Sequence, residues 1–186
     1  MIFKVKPDFC RMAGRSFFIT LFILFLILWS IGPLMAKTDI GKNAEIHALP
    51  EEVKELMATF ERMDKAIQSK NLDVLMNSYS KNYSHFGADR NEMRKVWTRL
   101  FQDYKELLIG HTFNRIHIDR SKRMAYIVCT GLVFGINTRT GKKERIDGWV
   151  DEVHYLIHEE GEWKILGHDV ESIEPGRFGA AFHPLF

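Results

Sequence analysis

The sequence predicts an α+β fold: three N-terminal helices packed on a curved antiparallel sheet that forms a cone-like cavity, all preceded by an N-terminal hydrophobic helix. Three observations lead to this prediction. An apolar run follows a basic N-terminus, apolar residues recur at helical spacing over positions 50–108, and short strand-like runs separated by turns follow Gly110. Helices first and strands afterwards are typical of this fold class.

Residues 1–36 have the layout of a signal peptide or signal anchor. Four basic side chains lie in the first fifteen residues, and the apolar run 17–31 follows them. Cleavage after Ala36 is favoured over retention as a membrane anchor, and both remain open. The protein is therefore expected outside the cytosol, in the periplasm or tethered to the inner membrane. Residues 37–48 are polar and aperiodic, which predicts a linker.

The charge of the remaining chain argues against nucleic acid as a partner. Of 26 basic and 24 acidic side chains, four basic and one acidic lie in residues 1–36, so 22 and 23 remain. A near-neutral domain has no basic field with which to hold a polyanion.

The helices begin at recognisable signals. Pro50 opens the first helix, Asn71 caps a short second helix that reaches Tyr79, and Asp89 caps a third helix that reaches Leu108.

Short β-type runs fill most of the remaining chain. The predicted strands are 82–87, 111–119, 123–137, 144–158 and 162–170. The short connections between the last four predict an antiparallel meander, with bends or bulges at Gly131, Gly135 and Gly148.

Three stretches, YSKNYSHFG, RKVWTRLF and GEWKILGHDVES, resemble the nuclear transport factor 2-like superfamily, which includes SnoaL-like cyclases and ketosteroid isomerase. The resemblance implies a domain over residues 49–172, with 173–186 as a C-terminal tail. It also implies a pocket between helices and sheet, a homodimer formed through the sheet, and functions from isomerases and dehydratases to non-catalytic modules.

Three residues are the catalytic candidates. The hairpin resemblance assigns the face of Trp163 and Asp169 to the pocket, which makes Asp169 the first acidic candidate, although a structural hydrogen bond is the commoner role. Tyr83 and His85 lie on the short strand that borders the pocket in such folds. The Tyr83 hydroxyl beside an acid would stabilise a developing enolate.

Four further residues are ligand-binding candidates: Trp97, Trp149, His154 and Trp163. A simpler reading places Trp97 in the core, because an aromatic residue at helical spacing is usually buried. Strict alternation along the strand predicted over 144–158 places Trp149 and His154 on opposite faces.

The sequence predicts no metal and no cofactor. His154 and His158 lie too far apart along a strand to share an ion, and no HExxH, CxxC, GxGxxG or P-loop pattern is present. Cys129, within an apolar run, is expected to be a buried inert thiol rather than a nucleophile.

These observations favour an exported or membrane-tethered domain that binds a small, partly apolar molecule in its cone, with no catalysis assigned. One alternative is a cofactor-free isomerase, dehydratase or cyclase with Asp169 or His85 as base and Tyr83 as electrophile. The other is a dimeric interaction module of an envelope assembly.

Overall fold

The computed structural model describes residues 37–85 and 87–167. The predicted leader over 1–36, the candidate Asp169, the end of the last predicted strand and the tail over 173–186 lie outside these residues. In the part of the chain that is described, no helix is long and apolar enough to span a membrane.

The described residues form seven strands and three helices, which confirms the α+β class. Their order is β1 (Lys37–His47), α1 (Pro50–Gln68), α2 (Leu72–Asn77), β2 (Tyr79–His85), β3 (Ala88–Asp89), α3 (Arg90–Asp103), β4 (Tyr104–Asp119), β5 (Met124–Asn137), β6 (Lys143–Glu159) and β7 (Glu162–Gly167).

The predicted helix starts are confirmed. Pro50 is the first residue of α1, and Glu52 accepts a hydrogen bond of 2.8 Å from the Leu49 backbone N–H. Asn71 accepts from Val74 N–H at the start of α2, and Asp89 accepts from two backbone N–H groups at the start of α3. These side chains satisfy helix N–H groups that have no partner within the helix.

One sheet contains all seven strands in the order β1-β4-β5-β6-β7-β2-β3. Strands β4 to β7 pair antiparallel with their chain neighbours, as predicted, because their connections are short. The two strands beside this meander are parallel to it: β1 pairs with β4, and β2 pairs with β7.

The predicted linker over residues 37–48 is wrong, because residues 37–47 form β1. Its register places Thr38 beside His111 and His47 beside His117. A polar edge strand that is exposed on most of its length lacks the apolar alternation on which strand prediction depends.

The second and third helices also end earlier in the sequence than predicted. Tyr79 begins β2, and α3 ends at Asp103 because Tyr104 pairs with Asn137 at the start of β4. The Lys70 ammonium donates to the carbonyls of Phe101 and Tyr104, both at 2.7 Å, and so satisfies backbone groups where helix gives way to strand.

A bulge in β6 overturns the strict alternation predicted there. Cys129 pairs with Glu152 and Gly131 pairs with Trp149, so two β6 residues lie opposite Thr130. Asp151 takes a left-handed φ of 52° at this point and donates its backbone N–H to Thr130 Oγ1. The extra residue turns Trp149 and His154 to the same inner face.

The core lies between the helices and the inner face of the sheet. Fully buried side chains come from all three helices and from every strand of the meander: Leu56, Phe60, Ile67, Leu75, Met76, Met93, Trp97, Phe113, Ile127, Leu156 and Ile165. Burial of this apolar surface is the main force that holds the helices on the sheet.

Candidate functional site

Polar side chains meet where α1, β1 and β4 come together: Asp64 and His111 are buried, and Thr38 is half-buried. Asp64 lies on the buried side of α1, and its side chain receives a hydrogen bond of 2.8 Å from Thr38 Oγ1 on β1. The same hydroxyl oxygen lies 3.2 Å from Nδ1 of His111 on β4. Asp64 is 5% exposed and His111 is 4% exposed. Three separate elements therefore bring a carboxyl, a hydroxyl and an imidazole together inside the fold.

Burial shifts the acidity of both ionisable groups. It raises the pKa of Asp64 to about 6, an effect that the Thr38 hydrogen bond opposes and the nearby Glu61 charge reinforces. It lowers the pKa of His111 to about 3. Although Asp64 Oδ1 lies 3.8 Å from His111 Nδ1, the contact is not an ion pair at neutral pH, because the imidazole is uncharged there.

The buried polar groups continue from β4 to β6. The rings of His111 and Trp149 are 5.5 Å apart, and Trp149 Nε1 donates to Cys129 Sγ at 3.0 Å. Cys129 Sγ also lies 2.8 Å from Nε2 of His154, which is 0% exposed. We call Thr38, Asp64, His111, Cys129, Trp149 and His154 the inner cluster.

Cys129 is a buried neutral thiol within the inner cluster, as the sequence predicts. Burial raises its pKa, and this effect outweighs the Trp149 hydrogen bond, which lowers it. The sulfur therefore keeps its proton at neutral pH. Because the indole N–H of Trp149 is a donor to the sulfur, the thiol proton is left for His154 Nε2.

Two carboxyls on β6 have raised pKa values. Burial, reinforced by the charge of Asp147, raises the pKa of Glu152 to about 7. Burial also raises the pKa of Asp147, against a hydrogen bond of 2.7 Å from the Gly148 N–H. Asp64 and Glu152 are therefore carboxyls that exchange protons close to neutral pH.

The structure places Tyr83, His85 and Trp97 on the side of the core formed by β2 and α3. Trp97 Nε1 donates to Tyr79 Oη at 2.8 Å, and the rings of Tyr79 and Tyr83 are 5.1 Å apart. Within residues 37–85 and 87–167, the buried Tyr83 hydroxyl has no hydrogen-bond partner. Burial raises the pKa of Tyr83 and lowers that of His85 to about 4.

The structure separates the four ligand-binding candidates into three places. Trp149 and His154 belong to the inner cluster, while Trp97 is a fully buried core residue. Trp163 lies elsewhere, in edge contact with His158 and beside a surface cleft of about 190 Å³ between α1 and the ends of β4 to β6.

Sequence reasoning missed Asp64, His111 and Thr38, and a signal existed for the first two. Asp64 lies four residues after Phe60 and one after Met63, so helical spacing places a carboxyl on the apolar face of α1. His111 alternates with Ile109 and Phe113, which face the core. No comparable signal marked Thr38, because its strand was not recognised.

The layers, the strand order and the buried polar groups define an α+β domain of helices packed on one mainly antiparallel sheet. The family model of the SnoaL-like domain matches residues 56–173. This chain therefore belongs to the SnoaL-like domain family, within the nuclear transport factor 2-like superfamily, as the sequence resemblance implied. A search among curated proteins found no significant match.

Solved structures share this fold at low identity. A conserved protein from Planctomyces limnophilus is 15% identical, with 63% of this chain and 92% of that chain covered and a TM-score of 0.51. A candidate scytalone dehydratase from Novosphingobium aromaticivorans is 13% identical, with 63% and 80% covered and a TM-score of 0.52. Bd1075 from Bdellovibrio bacteriovorus is 9% identical with a TM-score of 0.49, over 64% of this chain and 40% of that chain. These likenesses concern the fold alone.

Proposed function

We propose that the domain binds a small, partly apolar molecule in its interior, against the inner cluster. The observation that carries this proposal is the state of Asp64. Its Oδ1 atom is buried and has no hydrogen-bond partner in the described part of the chain. An unsatisfied buried acceptor costs about 1–3 kcal/mol, so such a group is retained where a ligand or a reaction uses it.

The surroundings of Asp64 fit a ligand with an apolar body and one polar group. Phe60 and Phe113 pack edge to face at 4.7 Å, and the His111 ring lies 5.5 Å from Phe60. Small-molecule sites consist mainly of apolar and aromatic side chains with a few polar groups that fix the orientation of the ligand, so this composition supports the proposal.

A second candidate is cofactor-free acid–base catalysis of the isomerase, dehydratase or cyclase type. It is favoured by the pairing of a carboxyl whose pKa is about 6 with a neutral imidazole inside the fold. A general base works best when its pKa is close to the working pH. In this version Asp64 replaces Asp169 as the first acidic candidate, with His85 as the other candidate base and Tyr83 as the candidate electrophile.

Native mass spectrometry of the chain, purified from its own host, tests the proposal. We expect a reproducible additional mass of small-molecule size on the wild type. Asp64→Asn keeps the shape of the side chain but removes its charge, so we expect at least about tenfold lower ligand occupancy.

Asp73→Asn is the matched control, because Asp73 lies exposed on α2. It should keep the wild-type occupancy. A wild-type chain that carries no small molecule, or an Asp64→Asn chain with unchanged occupancy, contradicts the proposal.

Two further proposals concern the cellular location of the domain and its oligomeric state. The basic residues before an apolar run support export or membrane attachment through residues 1–36.

Leu132 and Val150, which are 43% and 58% exposed on strands β5 and β6, support a homodimer formed through the sheet. A ligand-free dimer would favour the interaction module instead.

A further inference from the structure

We propose that Thr38 relays a proton between His111 and Asp64, so that the two side chains act as one acid–base unit. This inference rests on the proposed function of the inner cluster. Thr38 lies on β1, before the residues 56–173 that match the SnoaL-like domain. The hydroxyl that would relay the proton therefore comes from outside the matched region.

The geometry fixes the direction of each hydrogen bond. A threonine hydroxyl has one proton to donate and two lone pairs that accept. When Asp64 is ionised, Thr38 Oγ1 donates to Asp64 Oδ2 at 2.8 Å, and its 3.2 Å contact with His111 then requires Nδ1–H of the ring to donate to the hydroxyl oxygen. The neutral imidazole consequently carries its lone pair on Nε2.

Proton transfer through this chain is balanced at every atom. Hydronium from the solvent gives a proton to His111 Nε2 and leaves water behind; a new N–H bond forms there, while the Nδ1–H bond breaks and its proton passes to Thr38 Oγ1. The original hydroxyl proton passes at the same time to Asp64 Oδ2. The result is a protonated Asp64 and a His111 ring that is again neutral, now as the Nε2–H tautomer.

The relay lets the buried His111 and Asp64 take up a proton without forming an imidazolium beside a carboxylate. The pKa of His111 is too low for a stable imidazolium, whereas that of Asp64, about 6, allows it to hold the proton. Other titratable groups on the surrounding elements are Glu61 on α1, the Lys37–Asp39 pair on β1, and the carboxyls and His154 on β6.

Nitrogen-15 NMR of the histidine rings in the ligand-free full chain tests the relay, with His111 assigned from the spectrum of His111→Gln. As the pH falls through about 6, we expect the protonated and unprotonated ring nitrogens of His111 to exchange identities without formation of an imidazolium. A wild-type His111 that keeps one tautomer from pH 8 to pH 5 overturns the relay, whatever the variants do.

Two variants sharpen the result. Thr38→Val removes the hydroxyl at nearly constant shape and should abolish the tautomer exchange, whereas Thr38→Ser should retain it. The loss of the Thr38 donor should also raise the pKa of Asp64. His117, on the outer side of the same strand as His111, serves as the internal control and should not respond to Thr38→Val. An unchanged exchange in Thr38→Val also overturns the proposal.

These outcomes are separable from those of the proposed function. The NMR experiment uses ligand-free protein and reports only on the hydrogen-bond chain. Ligand occupancy by native mass spectrometry reports on binding. A functioning relay with no bound ligand would therefore reject the function and keep the relay, and the reverse result would reject the relay alone.

Discussion

Tyr79 and Tyr83 are neighbours whose buried hydroxyls differ in hydrogen bonding, so we expect their removal to change the free energy of unfolding differently. Tyr79 Oη accepts the indole N–H of Trp97, whereas Tyr83 Oη has no hydrogen-bond partner among the described residues. Tyr79→Phe should lower the free energy of unfolding by about 1–3 kcal/mol, because it leaves the Trp97 N–H buried without an acceptor.

Tyr83→Phe is the matched control for this prediction. It removes a hydroxyl that lacks a partner in the described structure, so stability should stay the same or rise. Denaturant unfolding of both variants makes the comparison. Equal losses in the two variants would contradict the assigned hydrogen bond.

Prediction at the residue scale succeeded where a single local rule applies. The caps Asn71 and Asp89 follow from side-chain oxygens that satisfy helix N–H groups, and Cys129 follows from its apolar surroundings. The inner cluster is different, because Asp64 and His111 are 47 residues apart in the sequence and acquire their shifted acidities only when folding buries them together.

At the element scale, the β6 bulge determines which side chains reach the interior. A regular strand would place Trp149 and His154 on opposite faces, but the extra residue at Asp151 turns both inward. Bulges depend on how two strands pair, here on the Thr130 hydroxyl that accepts the Asp151 N–H. Alternation along one strand therefore did not predict the site face of β6.

Gly131 beside this bulge leaves room for Trp149. A Cβ atom at position 131 would lie 2.2 Å from Trp149 Cζ2 and 2.8 Å from the Gly110 carbonyl oxygen. Gly131→Ala should therefore displace the indole and lower the free energy of unfolding by about 1–3 kcal/mol, with a change in tryptophan fluorescence.

Gly110→Ala provides the control, since the nearest atom to its added Cβ is 3.9 Å away. It should leave both stability and fluorescence close to the wild-type values. A Gly131→Ala chain that behaves like Gly110→Ala would show that Trp149 is not held against the glycine.

At the scale of the whole molecule, the order of elements predicted the architecture. Three helices followed by a meander predicted the α+β class, and the closing hairpin predicted the family that the SnoaL-like match establishes. The two parallel pairings, β1 with β4 and β2 with β7, join segments that are far apart in sequence. Local patterns carry no information about such pairings, so β1 and Thr38 were missed.

The export signal proposed for residues 1–36 predicts where the intact protein is located in its cell. Fractionation should find residues 37–186 outside the cytosol, either released or attached to the membrane, because the charged and apolar parts of residues 1–36 match an export signal. A chain without residues 1–36 should stay in the cytosol. Recovery of the full-length chain as a soluble cytosolic protein would contradict this prediction.

The measurement that tests the central claim most directly is the pKa of Asp64, followed by carbon-13 NMR of its carboxyl group and assigned with Asp64→Asn. We predict a pKa of about 6, above the ordinary value of 3.8. Stability conferred by the bound proton is then complete below pH 3.8 and lost as the pH rises through 6. A pKa of about 3.8 would mean that Asp64 is solvated like a surface carboxyl, and it would contradict both the site and the function proposed for it.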